Sequence, residues 1–239
     1  MSKSKSSRDR RQLIEQMQRS QAQADRRRTI MVVVASVVVG LAIIAYPAIR
    51  IIQESRAKDA SAADLGVAAQ AASCDPVIED KTAGNLDHKP DGTPLKFAVS
   101  PPSSGPHYQV PAPFQRKFYT AEDRPNMGNL VHNLEHGYTI LWYRESVAGD
   151  KAKIDTIERI AKTYSASDLT GKFVAAPYKA DDGGPAWPEG KNFALSHWGG
   201  GEPATQKGYR QFCGDISGAA VKDFTDRYPA SDSPEPNAG

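Results

Sequence analysis

The chain has 239 residues, 39% hydrophobic and 24% charged, with 30 Lys and Arg against 28 Asp and Glu and a formal net charge of +2. Residues 1–28 hold nine Lys or Arg and three acids, so removing that tail's +6 leaves −4 for residues 29–239. A remainder of that sign presents no broad basic field to a phosphate backbone, which excludes a nucleic-acid-binding module.

From the amino end, residues 29–49 read TIMVVVASVVVGLAIIAYPAI without a charge. That run is long enough for a hydrocarbon core, which needs about 20 apolar residues, and predicts one transmembrane helix over 29–52. A cleaved signal peptide would carry an apolar core of about 7–15 residues behind a short basic start, whereas 28 polar residues come first here. Basic flanks stay in the cytoplasm, so residues 1–28 form a cytoplasmic tail and the carboxyl end is exported, giving a single-pass cell-membrane protein.

Residues 53–73, rich in Ala and polar side chains, predict a linker. The exported domain is expected over 74–228, followed by a disordered tail over 229–239, PASDSPEPNAG, a run of Pro, Ser and acidic residues with no large apolar side chain to pack. The only two cysteines, Cys74 and Cys213, lie near the ends of that domain. On the oxidising side of a membrane they are expected to pair.

Within the domain the first half is Pro-rich, and Leu95 opens its one short strand, over 95–99. Residues 138–143, YTILWY, predict a strand buried on both faces. A helix over 151–164, strands over 172–178 and 192–198, and a helix over 218–228 complete the pattern. This order predicts an α+β domain with two main helices and a mixed sheet covered on one side.

The sharpest chemical feature is His132-Asn133-Leu134-Glu135-His136-Gly137. On a helix the two imidazoles, four residues apart, come within about 6 Å and can share one metal ion. On a strand they would stand roughly 13 Å apart and could not. Asn129 as a cap and Gly137 as a terminator favour the helix. His107, beside Gly105 and Pro106, is a third candidate ligand, and His197, at the end of the strand over 192–198, a fourth. His88, in a polar loop, reads as a solvated surface residue. Met127 is a soft donor that would favour copper over zinc. The five residues His132 to His136 also fit H-x-x-E-H, in which Glu135 would be the general base of a zinc hydrolase, but Gly137 ends the helix that such enzymes extend.

The anchor helix together with SGPHY at Ser104 to Tyr108, HNLEHG at His132 to Gly137 and the strand YTILWY resembles a family of actinobacterial membrane-anchored proteins classified as a domain of unknown function. The resemblance covers residues 74–228 and implies an envelope location without implying a reaction. Three functions fit the sequence. We favour a non-catalytic or sensory domain binding copper or zinc through His107, His132 and His136, with His197 as a further ligand. The others are a metal-dependent hydrolase using Glu135 and an accessory or scaffold subunit with an envelope protein partner, its histidines structural.

Overall fold

The computed structural model describes residues 28, 31–40, 62–82, 88–165 and 168–238. The chain divides into two units, residues 1–55 and 56–239. In the first, residues 31–40 are helical, and the valines among them expose more than half of their surface. The remainder of the expected membrane segment, the basic tail up to residue 27 and the first part of the linker lie outside the described residues. Among the described residues no helix is long and apolar enough to cross a membrane.

The second unit is α+β. Its sheet has five strands: β1 (Ile78–Lys81), β4 (Thr139–Arg144), β5 (Phe173–Tyr178), β6 (Phe193–Gly199) and β7 (Lys207–Cys213), in the order β1-β7-β6-β4-β5. A separate ladder joins β2 (His88–Lys89) to β3 (His107–Tyr108). The helices are α1 (Met127–Glu135), α2 (Lys151–Thr163) and α3 (Gly218–Arg227). Strands β4 and β5 are parallel and all other pairs in the large sheet are antiparallel, so the sheet is mixed. A parallel pair needs a crossover, and α2 lies in the chain between β4 and β5.

Side chains alternate across a sheet, and here they sort into two apolar layers. Leu141, Tyr143, Phe173, Ala175, Phe193 and Leu195 face α2 and α3, where Ile157, Ile160, Val221 and Phe224 are buried against them. Ile140, Trp142, Val174, Ala176 and Ala194 face the other way, onto Leu130, Val131 and Leu134 of α1. The sheet is therefore covered on both faces, not one. A continuous apolar strand such as YTILWY is what a doubly covered sheet requires.

Three boundaries differ from the sequence reading. Residues 62–73 pack instead of forming a free linker: Leu65 enters the core, Val67 donates to the Ile216 carbonyl, and Gly218 donates to Leu65. Only glycine permits that approach, since a Cβ on Gly218 would lie inside the Ala62 carbonyl oxygen. The carboxyl-terminal tail is not disordered, because residues 230–232 form a 3-10 turn and the Lys172 ammonium donates to the carbonyls of His136, Pro236 and Ala238. The expected strand over 95–99 is absent, since that Pro-flanked stretch has irregular backbone and bends in place of a ladder. Cys74 and Cys213 form the disulfide, joining the approach to β1 with the end of β7.

Candidate metal centre

Helix α1 begins after Asn126, not at Asn129, and runs to Glu135, with His136 as its C-cap and Gly137 at φ +90°. Its polar residues clasp an extended segment of the preceding loop. Asn129 donates to the Val110 carbonyl, while the Asn133 amide both accepts from Ala112 N–H at 2.8 Å and donates to the Ala112 carbonyl at 3.1 Å. His132 Nδ1 lies 2.6 Å from the Tyr108 carbonyl. A carbonyl can only accept, so Nδ1 carries the proton and Nε2 presents a lone pair.

The same logic orders His107. Its Nδ1 lies 2.9 Å from the Gly105 carbonyl, which leaves Nε2 as the free lone pair. The loop before it is tied to the sheet: Arg210 donates to the Ser100 carbonyl and pairs bidentately with Asp80, which also accepts from Ser103. His88 arrives through the short parallel ladder, where it is registered directly beside His107. Its imidazole therefore belongs to the cluster, while its side chain stays 36% exposed, in keeping with its reading as a surface residue.

Four groups, His88, His107, His132 and Glu135, each offer one ligand atom within 4.8 Å of every other. Glu135 Oε2 is 3.0 Å from His107 Nε2, 3.4 Å from His88 Nε2 and 3.7 Å from His132 Nε2. A tetrahedral ion with bonds of about 2.0–2.1 Å has ligand-to-ligand edges of about 3.3–3.4 Å, so these distances bracket a coordination shell. Glu135 is completely buried, and neither of its oxygens nor His107 Nε2 has a hydrogen-bond partner of acceptable geometry. Buried polar atoms are seldom left so, and this group could bind a metal ion.

The electrostatics fit that use. Burial alone would raise the Glu135 pKa, but the adjoining His107, His88 and His132 outweigh it and hold the carboxyl below its usual value. For His107, burial opposes protonation, and Glu135 with the Gly105 carbonyl more than offsets it, raising the pKa above 6.5. Burial lowers His132, and it lowers His136 to about 4 with the neighbouring His132 adding to the effect. Those two rings are neutral at pH 7, the form that ligates.

His136 Nε2 lies 3.0 Å from His132 Nε2, as a helical i, i+4 pair allows. It also lies 3.5 Å from Glu235 Oε2 in the carboxyl-terminal tail. Glu135, His136 and Glu235 form a second group able to hold an ion.

His197 joins neither group. It shares the strand face of Phe193 and Leu195, whereas Trp198, one residue on, faces the site and meets the His107 ring at 6.0 Å. Met127 packs against the apolar layer under α1. Sequence reasoning assigned His88 to the surface without a ligand role and did not single out Glu235, and neither residue sits in a spacing pattern that marks a ligand.

The family model described as Protein of unknown function (DUF3105) matches residues 88–239, and the chain belongs to that family. The match begins at His88 and takes in every residue of both groups. No curated protein and no solved structure matches the chain.

Proposed function

We propose that this family member is a membrane-anchored, extracytoplasmic metal-binding domain that holds zinc or copper(II) through His88, His107, His132 and Glu135. The observation that carries the reading is the convergence of three imidazole nitrogens and one fully buried carboxylate without a hydrogen-bond partner, all within 4.8 Å of one another. Three nitrogens and one oxygen suit zinc in a tetrahedral site and leave no soft sulfur to prefer copper(I). Glu135 lies among the ligand atoms, which supports a binding role over that of a general base. The bonds from His107 and His132 to backbone carbonyls fix tautomer and ring orientation, as such bonds do for histidines that ligate metals.

An export reading is supported by the disulfide, which persists in oxidising compartments, and by the uncharged run over 29–49 behind a basic tail. The partners would then be the membrane itself and an envelope protein.

Metal analysis of full-length protein purified without chelator tests the binding reading. The expected result is at least one equivalent of zinc or copper, with the tightest-bound equivalent weakened in His107→Ala and His132→Ala while far-ultraviolet dichroism is kept. Saturation at about 100 times Kd should add about 2.7 kcal/mol of stability. Metal-free protein that takes up neither ion and shows no shift in melting temperature overturns the proposal.

A further inference from the structure

We propose that the centre is binuclear, with Glu135 bridging a first ion at His88, His107 and His132 to a second ion held by His136 and the tail residue Glu235. This rests on the metal reading above and extends it to a second site of different chemistry. The two ligand groups share Glu135 alone. One of its oxygens, Oε2, faces the three imidazoles of the first group. The other, Oε1, is equally buried and equally without a partner. A carboxylate has two oxygens and can give one to each of two cations, which accounts for both orphaned atoms at once.

His136 has the proton chemistry for this role. Because His132 Nε2 carries a lone pair, the 3.0 Å contact between the two rings makes His136 Nε2 the donor in metal-free protein. Binding at His136 Nε2 requires that proton to leave. His136 Nδ1 is buried with no partner, so a neutral tautomer shift moves the proton there without changing the ring's charge.

Glu235 is held in place from its backbone, since its N–H donates to the Glu135 carbonyl at 3.0 Å. The Lys172 ammonium fixes the following residues to the end of α1 through the carbonyls of His136, Pro236 and Ala238. Gly137 allows the tail to lie this close, because a Cβ there would stand 2.6 Å from the Ala230 carbonyl oxygen. The Glu235 side chain is 42% exposed and that of His136 is 9% exposed, and in the first site His88 is 36% exposed, so each site reaches solvent through one ligand. One imidazole and two carboxylates make a harder donor set than three imidazoles and one carboxylate. It suits a divalent first-row ion such as zinc or manganese, bound more weakly than at the first site, which has four ligands to its three.

Zinc stoichiometry of the full-length chain, measured by calorimetric titration of chelator-stripped protein and by elemental analysis after dialysis against excess zinc, tests the inference. The expected result is two sequential events and two ions per chain, falling to one in Glu235→Gln with the tighter event unchanged. His107→Ala should weaken the tighter event, which separates the two sites. Glu235 is half-exposed in the tail, so its replacement leaves the fold intact, and unchanged dichroism checks this. One ion in the wild type that Glu235→Gln does not alter overturns the binuclear inference and leaves the metal-binding function standing. One ion that Glu235→Gln abolishes also overturns it, since the tail would then serve a single centre. No ion in either protein overturns both proposals.

Discussion

Acid should destabilise this domain through a residue outside the metal centre. His197 is fully buried, and burial holds its pKa down at about 4 from 6.5; the nearby Tyr138 backbone offsets this only in part, without forming a good hydrogen bond to either ring nitrogen. The folded ring is neutral where the unfolded ring takes up a proton, so the unfolded state binds more protons between those values. Stability is therefore complete above pH 6.5 and falls as the pH drops toward 4. A difference of 2.5 between 6.5 and about 4 corresponds to about 3 kcal/mol in full, of which about 2 kcal/mol is lost between pH 7.5 and pH 5. The assay is urea unfolding of chelator-treated wild type and His197→Gln across that range. The substitution adds a constant offset, and the titrations of His132 and His136 are common to both chains and cancel. The stability gap between the two proteins should change by about 2 kcal/mol from pH 7.5 to pH 5, with the variant losing less. Parallel curves would show that His197 is not held neutral and would refute the reasoning.

Two further outcomes follow from the structure. Reducing the Cys74–Cys213 bond, or replacing both residues with Ala, releases a constraint between positions 139 apart in sequence. Chain entropy for such a loop gives about 5 kcal/mol as a ceiling, so a loss of about 2–5 kcal/mol in denaturant midpoints is expected, and no loss would contradict it. Metal affinity should fall with acid, because a proton on His107, whose pKa is raised above 6.5, competes with the ion. Below that pKa the slope approaches one proton per ion, and calorimetry from pH 5.5 to 8 that showed no dependence would exclude His107 as a ligand.

The elements legible in the sequence were those with one clear period. The strand YTILWY, helix α2, strands β5 and β6 and helix α3 all lie within a residue or two of expectation, and His132 and His136 do share a helical face. Strand β7 was not legible because Lys207 is exposed at its start while Arg210 occupies a buried position, which hides the alternation. Arg210 is tolerated there because Asp80 on β1 pairs with it, a partner 130 residues away. The site was half legible for the same reason. The i, i+4 spacing marks two imidazoles locally, whereas His88 is placed by a two-residue ladder and Glu235 by its N–H bond to the Glu135 carbonyl, and neither contact leaves a periodic trace. His197 misled because proximity in sequence to the Trp198 that lines the site does not survive the alternation of a strand.

The order of the large sheet leaves β1 and β5 at its margins, where unpaired backbone groups would otherwise recruit a strand from another copy. Each margin is blunted differently. Strand β1 is four residues long and, after Ile78, carries Glu79, Asp80 and Lys81, so an incoming strand would meet charge along most of its length. Strand β5 has Pro177, which has no N–H to offer, and the Ala175 amide and carbonyl at its centre are already taken by Lys117 and Tyr119. At high concentration, copies of such a domain would resist edge-to-edge aggregation, and a change that exposed the Ala175 backbone would remove that protection first.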